Sequence, residues 1–266
     1  MSSHKPRKRF GQNFLHDAHI IQNIIQTLNP QPTDHLVEIG PGLGALTLPT
    51  LEKSQKLTVV EIDRDLIDRW QSSQYAANGQ LAIIAQDALT VDYGIIHPGN
   101  PIRVFGNLPY NISTPLLLHL FSQLTNIQDM LFMLQKEVVD RLVAPPNCKD
   151  YGRLSVTTQT LCEAENVLHV PPGAFNPPPK VQSAVVQLKP LPTPKCPLEH
   201  VPLLQSVVAD AFGQRRKVIT NSLKKYSAEV IPWNQFDISP KARAENISVE
   251  QFIELTLWIT KHGSAK

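Results

Sequence analysis

The chain has 266 residues, with 25 Lys and Arg against 23 Asp and Glu and 42% hydrophobic residues. It can bury a sizeable core, and its near-neutral balance requires any nucleic-acid partner to be met by local patches rather than by overall charge. Three cysteines, Cys148, Cys162 and Cys196, lie far apart without metal spacing. That excludes a disulfide scaffold and fits reduced thiols in a cytoplasmic protein, while no apolar run reaches the roughly 18 residues of a membrane span and no apolar stretch follows the basic start as in a secretory signal.

Residues 1–9 carry Lys5, Arg7, Lys8 and Arg9 and read either as a solvated tail or as a phosphate-seeking arm. Ile20, Ile21, Ile24, Ile25 and Leu28 then recur at helical spacing, and Asn29-Pro30 ends that helix. His35–Ile39 is the first buried strand and runs into Gly40-Pro41-Gly42-Leu43-Gly44. Such glycines let a backbone approach a ligand closely, but their spacing is not the G-x-G-x-x-G of dinucleotide dehydrogenases, which disfavours an oxidoreductase. The following helix contains Pro49, so it is expected to be short or kinked. Leu57–Glu61 is the second strand, and its terminal acid stands where ribose hydroxyls are bound in open α/β sheets. Asp63 caps the next helix. Leu81–Ala85 is the third strand, followed by Asp87-Ala88, where an acid can accept from an adenine amine.

Ile102–Phe105 is a fourth strand. Ser113-Thr114-Pro115 opens a helix with a hydroxyl cap and an early proline. Gly106-Asn107-Leu108-Pro109-Tyr110 therefore forms a short loop at a strand's carboxyl end, the edge where open sheets bind ligands. Pro109 stiffens it and biases Leu108 toward extended backbone. A stiff loop with an amide, aimed carbonyls and the flat face of Tyr110 suits a planar base with an exocyclic amine; alone it could equally be a turn with a solvated Asn. Asp129–Leu134 reads as a strand and Glu137–Val143 as a helix. Ala144–Gly152 is loop, Leu154–Leu161 is ambiguous between helix and strand, and Asn166–Val170 is a short strand. Pro171–Lys180 is a rigid extended segment presenting Phe175, which is either a stacking face or a core plug, and Lys180. Val181–Leu188 is the last strand. Four prolines in Pro190–Pro197 mark a domain boundary, so 1–190 is expected to be the sheet domain and 191–266 a helical one. There Val201–Phe212 is a helix, Gln214-Arg215-Arg216-Lys217 opens another, and Ile247–Gln251 holds a capping box.

The ordered series Arg7-Lys8-Arg9-Phe10-Gly11-Gln12-Asn13-Phe14-Leu15, Glu38-Ile39-Gly40-Pro41-Gly42-Leu43-Gly44, Asn107-Leu108-Pro109-Tyr110-Asn111-Ile112-Ser113, Tyr151-Gly152-Arg153-Leu154-Ser155-Val156, Phe175-Asn176-Pro177-Pro178-Pro179-Lys180-Val181, Gln214-Arg215-Arg216-Lys217 and Arg243-Ala244-Glu245-Asn246-Ile247-Ser248 resembles the ribosomal RNA adenine dimethyltransferase family along nearly the whole chain. Gln159-Thr160-Leu161-Cys162 departs from it by lacking aromatic character.

The resemblance implies an α/β Rossmann-like methyltransferase sheet with a small C-terminal helical domain, S-adenosylmethionine as cofactor and no metal. It implies cofactor contacts from Asn13, Leu15, Gly40, Gly42, Glu61, Ile62, Asp87, Ala88 and Asn107. It implies that Asn107, Leu108, Pro109, Tyr110 and Phe175 hold a flipped adenine, and that Arg7, Lys8, Arg9, Lys180, Arg215, Arg216 and Lys217 meet RNA. The implied reaction dimethylates two adjacent adenines near the 3′ end of small-subunit ribosomal RNA, during ribosome biogenesis in the cytoplasm. The implied partner is the small ribosomal subunit, the enzyme acting as a monomer away from membranes. Two alternatives stand beside it: methylation of large-subunit RNA, and an assembly factor whose catalysis is dispensable.

Overall fold

The computed structural model describes residues 13–214, 216–226 and 231–262, so Arg7, Lys8, Arg9 and Arg215 lie outside the described residues. In chain order the elements are β1 (Phe14–Leu15), α1 (Ala18–Leu28), β2 (Leu36–Ile39), α2 (Thr47–Ser54), β3 (Leu57–Glu61), α3 (Arg64–Gln71), α4 (Gln74–Ala77), β4 (Leu81–Ala85), β5 (Ile102–Asn107), α5 (Ser113–Phe121), β6 (Ile127–Gln135), α6 (Lys136–Val143), α7 (Arg153–Leu161), β7 (Cys162–Val170), β8 (Phe175–Asn176), β9 (Ser183–Pro190), α8 (Val201–Gly213), α9 (Ile219–Ser222) and α10 (Val249–His262).

Short aliphatic runs without polar alternation belong in strands covered on both faces, and β2, β3 and most of β5 are buried along their length. They lie in a seven-stranded sheet of order β4-β3-β2-β5-β6-β9-β7. Strands β4, β3, β2, β5 and β6 run parallel, and β9 is antiparallel to β6. The chain builds outward from β2 through β3 to β4, then returns to β5 on the other side of β2. That reversal opens a crevice at the carboxyl ends of β2 and β5, where a ligand fits without displacing a helix. Gly106 lets the two strands approach there: a Cβ on it would stand 2.4 Å from the Ile39 carbonyl oxygen.

The chain divides into two compact units, and the division differs from the single expected break after residue 190. One unit holds the described residues up to Val139 with Glu165–Lys189; the other holds Asp140–Ala164 with the described residues from Pro190 onward. The excursion follows from packing. Tyr151 and Val156 are buried in a core with Leu204, Val208 and Phe252, and the Tyr151 hydroxyl donates to the Ile247 carbonyl at 2.9 Å. The proline-rich stretch marks only the last of the three crossings.

Several local expectations are corrected. The ambiguous segment is helical, α7, with Val156, Thr158, Thr160 and Leu161 buried. The Asn166–Val170 strand starts earlier, at Cys162, and the last strand starts later, at Ser183. No side chain caps α5: Ser113 is its first residue, and the Ser113 hydroxyl donates back to the Tyr110 carbonyl at 3.1 Å. Gln214 does not open a helix; Arg216 and Lys217 are exposed in a turn before α9. The capping box is formed, Gln251 N–H donating to the Ser248 hydroxyl and Ser248 N–H to the Gln251 side chain.

Candidate active site

A cleft opens at the switch point between β2 and β5, with about 1070 Å³ of space not filled by atoms, open solvent included. The glycine loop forms one wall. Gly40, Gly42 and Gly44 all take positive φ. At Gly44 the reason is contact as well as backbone, since a Cβ would meet the Trp70 ring at 2.8 Å. Trp70 in turn donates its indole N–H to the Gly42 carbonyl at 3.1 Å, so α3 fixes the loop's shape.

Acids at successive strand ends form the next wall. Glu61 ends β3, and its Oε1 accepts from the backbone N–H of Ile62 and Asp63, each at 2.8 Å. Oε2 takes part in neither bond. Burial raises the Glu61 carboxyl above its usual range, the Asp63 and Ile62 amides partly offsetting it. Asp87 lines the cleft, with Oδ1 accepting from Leu89 N–H at 3.0 Å. Glu38, inside β2, also lines it. It is 1% exposed, and its Oε2 has no hydrogen-bond partner. Burial pushes its carboxyl up to about 8; the nearby Thr47 hydroxyl lowers it somewhat without forming a well-aligned bond, and the charge of Glu61 adds to the rise.

The third wall is the end of β5, which runs two residues past the expected Phe105 to Asn107, and the loop after it. Asn107 donates its amide N–H to the Asn13 carbonyl at 3.1 Å. Only the nitrogen end of an amide can serve a carbonyl, so this bond decides which way the amide lies and leaves Oδ1 as an acceptor. Leu108 N–H donates to the Met133 carbonyl at 3.1 Å and Ile112 N–H to the Pro109 carbonyl at 3.2 Å. The Pro109 carbonyl is thus engaged within the loop, and the Leu108 carbonyl is the better-placed backbone acceptor. Tyr110 lines the cleft, its hydroxyl 2.7 Å from the Ser183 hydroxyl.

Of the residues expected at a cofactor site, Asn13, Leu15, Gly40, Gly42, Glu61, Ile62, Asp87 and Asn107 line this one cleft, together with Leu108, Pro109 and Tyr110. Ala88 and Phe175 do not. Ala88 is buried behind it, its carbonyl accepting from the Tyr93 hydroxyl at 3.2 Å. Phe175 is 2% exposed and packs in a core with Leu15, Met133 and Val185. It pairs with Leu15 across the small β1–β8 sheet, so the core-plug alternative describes its position. Lys180, Arg216 and Lys217 are exposed. Sequence reasoning passed over Glu38 and Phe14. The signal for Glu38 was a lone acid inside an apolar strand.

A cationic, phosphate-free ligand fits this cleft: an orphaned buried carboxyl oxygen and two further acids suit an ammonium and a sulfonium. Among the described residues no group of three or more His, Cys, Asp or Glu side chains could hold a metal ion. The sheet order and the cleft define an S-adenosylmethionine-dependent methyltransferase of the Rossmann-like class. The chain belongs to the ribosomal RNA adenine dimethylase family, whose model matches residues 3–261. It is 52% identical over 266 residues to the ribosomal RNA small subunit methyltransferase A of Klebsiella pneumoniae, covering 99% of this chain and 96% of that one. It is 48% identical to the protein of the same name from Idiomarina loihiensis, covering 99% and 91%. Among solved structures it resembles the 23S rRNA methyltransferase ErmE (TM-score 0.71, 25% identity, 93% and 100% covered). A dimethyladenosine transferase from Plasmodium falciparum shares the fold (TM-score 0.76, 24% identity, 93% and 98% covered).

Proposed function

We propose that this enzyme dimethylates the N6 amines of two adjacent adenines near the 3′ end of small-subunit ribosomal RNA. When bound, S-adenosylmethionine supplies an electrophilic methyl group. Gly40, Gly42, Glu61, Ile62 and Asp87 hold the cofactor, Glu61 by ribose hydroxyls and Asp87 by the adenine amine, with Asn13 and Leu15 closing over it. Glu38, which the residues alone did not suggest, gives its orphaned oxygen to the ammonium.

The target adenine leaves its stack and enters the open side of the cleft, at a cost of a few kcal/mol. Tyr110 provides the stacking face. Asn107 Oδ1 and the Leu108 carbonyl accept the two amine hydrogens, which turns the nitrogen lone pair toward the cofactor side. Positioning of this kind supplies most of the rate. The amine proton is lost once the nitrogen carries positive charge and is strongly acidic, so no strong base and no metal is needed. Lys180, Arg216 and Lys217, with Arg7, Lys8, Arg9 and Arg215, dock the RNA by its phosphates. We infer small-subunit rather than large-subunit RNA because the family likeness is 52% to a small-subunit enzyme and 25% to the 23S enzyme.

The observation that carries this reading is the bond between the Asn107 amide and the Asn13 carbonyl, which leaves Oδ1 as the acceptor. The test is incubation of unmethylated small and large subunits together with labelled cofactor, followed by mapping of the product. Label in adjacent 3′-terminal adenines is expected; label in large-subunit RNA alone overturns the assignment. Asn107→Ala should slow single-turnover methylation about 10²–10³-fold with subunit binding intact, while Asn107→Asp, which keeps an oxygen acceptor, should retain more activity. Wild-type rate in the Ala variant removes this loop from catalysis.

A further inference from the structure

We propose that Ser183 is a positioning residue for methyl transfer, holding the Tyr110 ring flat against the target base through a hydroxyl–hydroxyl bond from the start of β9. The inference rests on the reading of Tyr110 as the stacking face.

The bond is 2.7 Å long, and Ser183 is fully buried. A buried serine hydroxyl needs a partner, and here the partner belongs to a residue lining the cleft. Ser183 opens β9, whose register pairs it with Gln135 at the end of β6. Just past that pair, Lys136 N–H donates to the Gln182 carbonyl at 2.9 Å. The backbone carrying Ser183 is therefore fixed on both sides of the residue. The other end of Tyr110 is fixed too: its carbonyl accepts from the Ser113 hydroxyl at 3.1 Å, and Pro109 precedes it.

A tyrosine has two side-chain torsions. With its backbone held by Ser113 and its phenol by Ser183, neither torsion is free, and the ring cannot swing into the space a base must enter. Burial raises the Tyr110 phenol above its ordinary range, so it stays neutral and the contact persists as a bond between two protonated hydroxyls. The strand holds a ring that touches the base without touching the base itself. Losing the tether should slow the chemical step while subunit docking and cofactor binding, which use other residues, stay intact.

The test compares Ser183→Ala, Tyr110→Phe, the double variant and Tyr110→Ala. Single-turnover methylation of unmethylated small subunits is measured beside calorimetric S-adenosylmethionine affinity. Ser183→Ala and Tyr110→Phe should each lose roughly 3- to 10-fold in rate, the range expected for one buried hydrogen bond. The double variant should be no slower than either single one, because both remove the same bond, and it leaves no orphaned hydroxyl in the site. Subunit KM and cofactor affinity should hold in all three. Tyr110→Ala should be far slower. Single variants at wild-type rate beside a slow Tyr110→Ala overturn the tether and leave the stacking role standing, and so do losses that multiply in the double variant. A Tyr110→Ala enzyme at wild-type rate removes the stacking role, and the tether with it.

Discussion

Glu38 shows how a single side chain couples burial to ligand charge. Folded, its carboxyl is pushed up to about 8 from an ordinary 4.5, chiefly by burial. Between those values the folded chain holds a proton that the unfolded chain has released. Stability should therefore fall as pH rises through this window and level off above it. Glu38→Gln removes the slope: its thermal midpoint should match the wild type near pH 4.5 and exceed it at about pH 8. A cationic cofactor favours the ionised carboxylate, so wild-type affinity should rise toward pH 8 with proton release, seen by calorimetry in buffers of different ionisation enthalpy, and Glu38→Gln should bind more weakly without that release. A flat profile in the wild type removes Glu38 from the cofactor site. Glu61 differs because its Oε1 already serves two backbone amides. Replacement by Ala would orphan both amides, whereas Glu61→Gln keeps an oxygen and the fold. It should weaken cofactor binding about 10- to 100-fold if a charged hydrogen bond is lost, and unchanged affinity would place the ribose elsewhere. Glu61, Asp87 and Asn107 were legible in the sequence because each stands at or just past the carboxyl end of a recognisable strand. Glu38 was not, because an acid within Leu36-Val37-Glu38-Ile39 looks like an interruption of a core strand. Phe175 was legible only as a choice between a face and a plug, and tertiary packing makes that choice.

At the scale of elements, periodicity located what it could measure. Strands β3 and β4 stand at their expected bounds, and α1 was visible from its aliphatic stripe. Two-residue strands such as β1 and β8 leave no periodic trace, although their pairing brings Phe14 and Leu15 to the cleft. Segment Leu154–Leu161 was ambiguous because Thr157, Thr158 and Thr160 favour strands by propensity; packing in the second unit overrides them. Arg103 is another feature that no pattern announced. It sits within β5, nine-tenths buried, and pairs with Asp34 at 2.7 Å and Asp129 at 2.9 Å. It also donates to the Leu28 carbonyl at 2.8 Å. One guanidinium thus joins the end of α1, the lead-in to β2 and strand β6 at the sheet edge opposite the cleft. Removing one partner of a buried ionic cluster costs about 3–5 kcal/mol, because the remaining charges stay buried without compensation. Arg103→Ala should therefore lower the thermal midpoint by many degrees while cofactor affinity, measured below that midpoint, stays near wild type. A midpoint within a degree or two of wild type would show that the two aspartates are already solvated.

At the scale of the whole molecule, a net charge of +2 cannot hold a polyanion by itself, so RNA must be met by particular exposed cations. Lys180 follows the proline-rich turn of the sheet unit, and Arg216 and Lys217 precede α9 in the other unit, all exposed. Cations nearby are not all equally available: Lys225 pairs with Asp210 at 2.9 Å, and Asp210 also accepts from the Tyr226 hydroxyl. Arg216 and Lys217 are therefore better candidates than Lys225 for phosphate contact on this unit. Each phosphate contact to a duplex contributes about 0.9 to the slope of log affinity against log salt. Arg216→Glu with Lys217→Glu should weaken binding to unmethylated small subunits and flatten that slope by about 1–2. Lys180→Glu should flatten it by about 1 on its own, and the two effects should add if the patches meet separate phosphates. S-adenosylmethionine affinity should not move in any of these variants, because the cleft lies within the sheet unit and none of the three side chains lines it. Filter binding at several salt concentrations decides the matter. Slopes equal to wild type would make these residues ordinary solvated charges, and RNA docking would then have to be assigned to other surfaces.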